Sequence, residues 1–270
     1  MGGELYAILN QPLDNPRAPT PLFTIPRMKI LVYNIAYSTG LKGSLLGYLT
    51  NFWRYLIWAP RKTFQNLVEF LEKENADIIC LLETDIGSLR NRFRSQVKSI
   101  AKKLSLPFFW SASKYGPKSL LRLFPTFRKQ HDAVLSRIQG RMQTHYLKSG
   151  GKKLVQEFIV QGISLFVVHL ALRPGLRKKQ LLEMTDLLKQ CPRPFLVCGD
   201  FNIFRGLHEV QDFIRENHLT SVQTQATFPS IRPKVLIDLI LASEQIRVRD
   251  VGVLDALHSD HLPVWVEIEN

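Results

Sequence analysis

The stretch at residues 195–202 constrains the fold of this chain more than any other. Its sequence is FLVCGDFN, so an apolar run typical of a buried strand ends in a glycine and then supplies two polar side chains, Asp200 and Asn202. Residues i and i+2 share one face of an extended segment, and both polar groups can therefore face one cleft. The stretch predicts a buried strand whose end opens onto a polar site.

Polar residues interrupt or follow several other apolar runs in the same way. A single Asn or Asp after a strand is usually a turn or cap residue, and a single His in an apolar run is usually a hydrogen-bonded core residue. So many together are unusual, because a soluble domain rarely buries this number of ionisable groups. The set consists of Asn34, Glu83, His169, Asp200, Asn202, Asp238, Asp260 and His261. Asp260 beside His261 can supply a metal ligand and a proton acceptor together, which suggests metal-assisted hydrolysis.

The order of strand-like and helix-like segments predicts an α/β fold. Apolar runs at residues 29–33 and 78–82 indicate buried strands, and the i, i+3, i+4, i+7 pattern at residues 64–71 predicts an amphipathic helix between them. The segments at residues 133–170 are joined by short glycine or polar turns, which favours antiparallel hairpins. Strands linked by helices and strands linked by hairpins indicate mixed sheets with helices outside.

A second helix is predicted at residues 89–104. Leu89, Phe93, Val97, Ile100 and Leu104 would share its buried face, because they recur at helical spacing. The other face would carry six basic residues, which we interpret as a solvated surface. These are Arg90, Arg92, Arg94, Lys98, Lys102 and Lys103.

Length and composition predict one large domain at residues 28–270, because no linker or change of composition divides it. Residues 1–27 contain five prolines and predict an extended or disordered lead-in, without the cationic start and apolar core of a signal peptide. The three cysteines are an odd and sparse set. They argue against a disulfide framework and against a disulfide-linked partner, and they favour a cytoplasmic location.

The charge balance favours a polyanionic partner. The formal net charge is +13 and the sequence pI is about 9.8. Nucleic acid, an anionic membrane surface and a phosphorylated substrate all fit such a balance. The charge does not choose among them, and solubility alone would also explain it.

The motifs of this chain resemble those of one known superfamily. KILVYN, LLET, VVHL, GDFN, TFPS with LIDLIL, and SDH are similar to the successive motifs of the endonuclease/exonuclease/phosphatase (deoxyribonuclease I-like) superfamily, in the same order from about residue 28 to the end. The resemblance implies an α/β fold, a four-layer α/β sandwich of two packed mixed β-sheets with helices on both outer faces. It also implies Mg²⁺-dependent hydrolysis of a phosphoester, with a phosphodiesterase or nuclease acting through an activated water favoured.

The resemblance implies a role for each polar residue of the set. Glu83 would be the principal Mg²⁺ ligand, with Asn34 and Asp260 nearby and Mn²⁺ able to substitute, since these oxygen donors suit hard cations. His261 would be the general base that activates water, or in some schemes a proton donor or phosphate contact, and Asp238 would orient it.

The remaining residues would act on the water and the phosphate. Asp200 and Asn202 would position the nucleophile and the phosphoryl oxygens, and His169 would bind or protonate near the scissile phosphate. Four loop cations are either phosphate contacts or ordinary surface charges. They are Arg173, Arg205, Lys114 and Lys118, of which Arg173 is the one assigned to substrate binding.

Two departures from the family pattern bear on the substrate. Ala36 stands where abasic-site endonucleases carry Asp, and His169 stands where those enzymes have a Tyr-containing stretch, so abasic-site repair is disfavoured. His131 and Asp132 precede the strand at residue 133, where the family often has Gly. The substrate contacts of that loop therefore cannot be carried over.

Residues 41–60 leave a choice of partners open. The segment contains two tryptophans, two tyrosines and several leucines. It is interpreted as a membrane-interfacial element, as a helix packed on the core, or as an aromatic platform for nucleobases. Three functions follow: a nuclease-like phosphodiesterase, a phospholipid or phosphoinositide phosphoesterase at a membrane surface, and a catalytically inactive binding module. The complete set of motif residues argues against the third.

Overall fold

A computed structural model describes residues 27–43, 50, 53–56 and 58–269. The lead-in predicted at residues 1–27 falls, apart from Arg27, outside the described residues. Residues 44–49, 51–52 and 57 of the aromatic segment at residues 41–60 do so as well. The structure is built from two six-stranded sheets packed face to face.

The described strands are, in chain order, β1 (Met28–Asn34), β2 (Ile78–Asp85), β3 (Phe108–Ser113), β4 (Gln130–Ser136), β5 (Arg141–Tyr146), β6 (Leu154–Val160), β7 (Ile163–His169), β8 (Phe195–Asp200), β9 (Leu219–Ser221), β10 (Asp238–Ser243), β11 (Arg247–Val253) and β12 (Val264–Glu269). The first sheet has the order β11-β12-β1-β2-β4-β3, and the second has the order β5-β6-β7-β8-β10-β9. β1 pairs with β2 in parallel and β7 with β8 in parallel, whereas β5, β6 and β7 form antiparallel pairs. Both sheets are mixed. The predicted hairpins are confirmed for β5, β6 and β7, but the one predicted between the strand at residue 133 and the next strand is wrong, because β4 and β5 belong to different sheets.

The described helices are α1 (Trp53–Leu56), α2 (Arg61–Glu74), α3 (Gln96–Lys103), α4 (Pro125–Arg128), α5 (Pro174–Leu188) and α6 (Gln211–Glu216). Leu71 of α2 and Ile100 of α3 pack on the outer face of the first sheet, and Met184 of α5 and Phe213 of α6 pack on the outer face of the second. The four-layer α/β sandwich is therefore confirmed. None of these described helices is long and apolar enough to cross a bilayer.

Alternate side chains of the strands form the core between the sheets. Val32 and Cys80 from the first sheet meet Phe158 and Cys198 from the second, all of them buried. Successive residues of a strand point to opposite faces, so every second residue of these strands faces this inner layer. Cys80 and Cys198 are free thiols inside it.

The helix predicted at residues 89–104 is wrong in its first half. Leu89–Asn91 form a short 3₁₀ turn, and Arg92 and Phe93 adopt left-handed φ values of 52° and 60°, so only Gln96–Lys103 are α-helical.

A buried ion pair explains the interruption of this helix. The Asp85 carboxylate accepts hydrogen bonds from the backbone N–H groups of Gly87 and Ser88 and from the Arg90 guanidinium at 2.8 Å. Arg90 and Asp85 are both wholly buried. The chain therefore folds around this pair and turns Leu89 and Phe93, two of the five residues assigned to the buried face, out to solvent.

Candidate active site

Because side chains alternate along the strands, three of the predicted residues lie at one edge of the inner layer. Val167 and Cys198 face the core between the sheets, and two residues further along the same faces lie His169 and Asp200. The register pairs His169 with Asp200 across β7 and β8, and Asp200 with Asp238 across β8 and β10. These three side chains therefore stand side by side at the strand ends.

His261 and Asp238 form a hydrogen-bonded pair. Nδ1 of His261 lies 2.9 Å from Oδ2 and 3.1 Å from Oδ1 of Asp238, and Thr227 Oγ1 donates to Oδ2 at 2.6 Å. An Nδ1–H that donates to the carboxylate leaves Nε2 of His261 as the proton acceptor. Nε2 faces Asn34 Nδ2 at 3.4 Å and Asp200 Oδ2 at 3.9 Å.

The surrounding carboxylates favour the protonated form of His261. Burial alone would lower the pKa of the imidazole, but the charge and hydrogen bond of Asp238, followed by the charges of Asp200 and Asp260, outweigh it and raise this pKa. The same charges stabilise the imidazolium that forms when His261 accepts a proton. The pair has the geometry of a general base with its orienting carboxylate.

Asp200 lies at the centre of the cluster. Its Oδ2 is 3.2 Å from Asn34 Nδ2 and 3.3 Å from His169 Nε2, and its Oδ1 accepts the backbone N–H of Asn202 at 2.9 Å. Burial would raise the pKa of this carboxyl group, but His169, with help from His261 and Lys152, holds it well below its usual range. Asp200 is therefore ionised although it is buried.

Asn202 is fixed by the backbone immediately after the neighbouring strand β7. Its Nδ2 donates to the Leu170 carbonyl at 2.9 Å, and its own φ of 55° is left-handed, a conformation that Asn tolerates better than most residues. β8 ends at Asp200, so the two residues do not share a face of one extended strand as predicted. A turn in which the Asn202 N–H donates to Asp200 Oδ1 keeps Asn202 next to Asp200 instead.

Glu83 reaches the same edge through an irregularity in β2. The register between β2 and β4 shifts between Leu81 and Thr84, Glu83 has a φ of 55°, and its backbone N–H donates to Asp132 Oδ1 at 2.9 Å. This bulge turns the Glu83 side chain toward the cleft. His131 and Asp132, which depart from the family pattern, thus help to form this bulge.

Two lysines and a histidine surround the Glu83 carboxylate. Lys114 Nζ donates to Oε1 at 3.1 Å, Lys152 Nζ lies 3.7 Å from it, and His169 Nε2 lies 4.0 Å from it. Burial would raise the pKa of Glu83, but the charges of these groups hold it well below its usual range. Glu83 is therefore ionised, and His169 links it to Asp200.

Sequence reasoning missed Lys152 and left Lys114 undecided. Lys152 follows the Ser-Gly-Gly turn before β6, where a lysine has the pattern of an ordinary surface cation. A bridge between Tyr115 and Lys152 joins this turn to the loop of Lys114, and Lys152 Nζ contacts His169 Nε2. Only this pairing of distant loops places the second ammonium group in the cleft, and no local signal could have revealed it.

Asp260 is close enough to His261 to affect its pKa, whereas Arg173 lies outside the buried cluster. Asp260 is buried, its Oδ1 accepts from Ser259 Oγ at 3.1 Å, and its charge contributes to the raised pKa of His261. Arg173 immediately precedes α5 with an exposed side chain, outside the buried cluster. Its assignment to substrate binding stays a prediction.

The donor set of this edge fits a hard divalent cation. Among the described residues, one group of three His, Cys, Asp or Glu residues, namely Asp200, Asp238 and His261, has donor atoms within 4.8 Å of one another. Asp238 and His261 use these atoms on each other. The ionised oxygens of Asp200 and Glu83, with the Asn34 and Asp260 side chains, are ligands of the kind that Mg²⁺ prefers. Asp200 thus joins the three residues predicted from sequence as a candidate ligand.

Several solved structures are similar to this one. A functionally unknown conserved protein from Enterococcus faecalis V583 has a TM-score of 0.66 at 17% identity, with 89% of this chain and 99% of that chain covered. The human Nocturnin catalytic domain with bound sulfate anion has a TM-score of 0.61 at 17% identity, with 91% and 94% covered. A mannosyl-6-phosphatase from Bacteroides thetaiotaomicron VPI-5482 has a TM-score of 0.61 at 16% identity, with 89% and 99% covered. At these identities the similarity shows the fold.

Sequence comparison shows the family. No curated protein matches the chain. The model of the Endonuclease/Exonuclease/phosphatase family, however, matches residues 32–261. This match begins in β1, which carries Asn34, and ends at His261, so it includes both halves of the cluster. The resemblance seen in the motifs is confirmed, and the chain belongs to the endonuclease/exonuclease/phosphatase family.

Proposed function

We propose that this chain is a Mg²⁺-dependent phosphoester hydrolase in which His261 activates the attacking water. The observation that carries the proposal is the His261–Asp238 pair, in which Nε2 of His261 faces Asn34 and Asp200 in a buried polar cleft. Glu83, Asn34 and Asp260, with Asp200 beside them, would hold Mg²⁺ or Mn²⁺. The bound cation would stabilise negative charge on the phosphoryl oxygens and lower the pKa of a bound water.

The residues of the chain carry the proton and orient the reactants. Nε2 of His261 accepts the proton of the attacking water, and Asp238 stabilises the imidazolium that results. Asp200 accepts a hydrogen bond from Asn34 and Asn202 is fixed to the Leu170 carbonyl, so both groups are ordered before substrate arrives. Such preorganised groups stabilise charge without reorganising during the reaction.

The cationic half of the cleft is placed to bind the phosphate. Lys114, Lys152 and His169 converge on Glu83 and supply donors for phosphoryl oxygens and for the leaving group. Two structural neighbours support an anionic ligand. One was solved with bound sulfate and another is described as a mannosyl-6-phosphatase.

A nucleic-acid phosphodiester is the first candidate substrate. The net charge of +13 favours it, and so does an exposed aromatic ring at the cleft. Phe204 packs edge-on against Phe228, whose ring centroid lies 5.2 Å from that of His261. The exposed ring of Phe204, which Phe228 separates from the general base, is suited to stacking on a nucleobase.

A phospholipid or phosphoinositide phosphoester at a membrane surface is the second candidate. Trp53 and Trp58 of the segment at residues 41–60 are exposed, and Lys42 of the same segment accepts at its carbonyl from Ser230, beside the cleft. Tryptophan favours the boundary between water and lipid. A cytoplasmic enzyme that contacts membranes peripherally through this segment would combine these features.

The test is a substrate panel with Mg²⁺ and with chelator. It contains plasmid DNA, single-stranded DNA, RNA, sphingomyelin and phosphoinositides. We expect Mg²⁺-dependent cleavage of at least one nucleic acid, loss of that cleavage in His261→Ala, and normal cleavage in His208→Ala, a surface histidine that serves as the matched control. Cleavage of lipids alone would replace the first substrate class by the second. Ligand binding without turnover of any substrate would instead favour the inactive binding module.

A further inference from the structure

An exposed apolar face lies between two loops of the first sheet. Leu89 and Phe93 from the turn after β2 are 59% and 76% exposed, and Leu120, Leu123 and Phe124 from the loop before α4 are 76%, 77% and 59% exposed. A groove of about 740 Å³ separates the two loops and is lined by Leu89, Phe93 and Leu123. We call these five residues the leucine face. Five large apolar side chains together in water are unusual for a soluble protein.

The leucine face continues into neighbouring apolar residues. Phe93 also lines a second groove with the exposed Phe109, and the Arg92 guanidinium lies 3.7 Å from the centroid of the Trp58 ring. The backbone N–H of Ala59 donates to the Arg90 carbonyl, which holds the end of the segment at residues 41–60 against this surface. Leu89, Phe93 and Leu123 therefore share one groove, and Phe93 extends this apolar surface to Phe109.

The charge of the chain is concentrated around the same face. Residues 86–131 contain eleven Lys and Arg residues and no Asp or Glu, and the whole chain has a net charge of +13. Arg90 is buried against Asp85, but others flank the leucine face directly. Arg128 and Lys129 line the groove, Lys98 lines the second one, and Arg94 is exposed beside Phe93.

The leucine face lies next to the cleft. Asp85, which organises the turn of Leu89, follows the metal-ligand candidate Glu83 by two residues in the same strand. Lys114, which contacts Glu83, begins the loop that leads to Leu120. Arg90 also packs over the Tyr37 ring at 3.9 Å, and Tyr37 in turn accepts from Lys114. A surface that bound this face would therefore lie close to the mouth of the cleft.

We propose that the leucine face docks on an anionic phospholipid bilayer, with the Leu and Phe side chains entering the interface and the surrounding cations binding lipid headgroups. Apolar side chains ringed by Lys and Arg are the features that hold peripheral proteins at such a surface. Nucleobases stack on flat rings, whereas three of the five side chains are leucine. Residues 86–131 contain no acidic residue that would repel an anionic surface. Docking does not depend on which phosphoester is cleaved.

The test is vesicle co-sedimentation of the full chain with phosphatidylcholine alone and with phosphatidylcholine mixed with phosphatidylserine. We expect binding to the mixed vesicles that weakens with added salt. Leu123→Ser with Phe93→Ser should weaken binding at least tenfold. Arg94→Gln with Arg128→Gln should weaken it by about fivefold for each charge removed.

Matched controls separate docking from loss of fold. Leu182→Ser changes a leucine of α5 that is 54% exposed on the opposite layer, and Arg215→Gln changes an exposed arginine of α6, so both should bind as the unchanged chain does. Circular dichroism checks that every variant is folded. His261→Ala should bind vesicles normally even though it is expected to lose activity, so the two proposals can fail separately.

Three results would overturn docking on an anionic bilayer. They are equal binding to neutral and anionic vesicles, equal loss in the leucine-face and Leu182 variants, and capture of single-stranded DNA but not of vesicles through the same residues.

Discussion

Replacing Asp238 by Asn tests the role of the orienting carboxylate while leaving its shape in place. Asp238 accepts from His261 Nδ1 at 2.9 Å and 3.1 Å and from Thr227 Oγ1 at 2.6 Å. The variant keeps one carbonyl oxygen but removes the charge. It also introduces an NH₂ group that, facing Nδ1, would favour the tautomer with its proton on Nε2. His261 would then lack a proton acceptor toward the cleft.

The magnitude follows from the bond that is lost. A hydrogen bond to a charged group contributes about 1.5–3 kcal/mol, which corresponds to about 10- to 150-fold in rate. A population locked in the wrong tautomer would lower the rate further, by up to about 10⁴-fold. We therefore expect kcat to fall at least ~10-fold with KM little changed, because Asp238 contacts His261 and not the substrate.

The assay is steady-state kinetics in Mg²⁺ on whichever substrate of the panel is cleaved. Asp186→Asn, an exposed carboxylate of α5, is the matched control and should keep the full rate. Thermal melting should show that Asp238→Asn is folded. An unchanged kcat in a folded Asp238→Asn variant would remove this residue from the mechanism.

Three further substitutions test the metal site and the fold. Glu83→Gln should abolish Mg²⁺-dependent activity and reduce the rise in melting temperature that Mg²⁺ produces; an unchanged thermal shift would exclude Glu83 as a ligand. Arg90→Met leaves Asp85 buried and unpaired, so the free energy of unfolding in urea should fall by about 3–5 kcal/mol, and a loss below ~1 kcal/mol would contradict the importance of the pair. Gly199→Ala places a Cβ 2.0 Å from the Val168 carbonyl at a φ of 136°, so it should destabilise the chain by ~3 kcal/mol or more; native stability would show that β7 and β8 can move apart.

The strand ends could be predicted from the sequence because their pattern is local. An apolar run indicates a buried strand, and the alternation of side chains along it indicates which residues face inward. The first polar residue after the run indicates where the core ends. The residues Asn34, His169, Asp200 and Asp238 follow from this rule, and the structure brings them to one edge. The pairing of His261 with Asp238 came from the family resemblance, since nothing local links residues 23 positions apart.

What the sequence could not predict depends on contacts between distant segments. The helical pattern of Leu89 and Phe93 is real, but the Asp85 carboxylate collects the N–H groups of the first turn, and a buried ion pair outweighs helix propensity there. Lys152 enters the cleft only because its turn pairs with the loop of Tyr115. Both exceptions lie at the edges of the cleft, where contacts between distant segments outweigh local conformational preferences.

The most direct test of the proposed activity compares His261→Ala with His208→Ala for Mg²⁺-dependent phosphoester cleavage. The first variant removes the proton acceptor that Asp238 orients, and the second removes an exposed histidine of the same type. We predict cleavage by the unchanged chain that stops on chelation, a loss of about 10²–10⁴-fold in His261→Ala, and full activity in His208→Ala. Equal rates in the two variants, or a rate that survives chelation, would contradict the account.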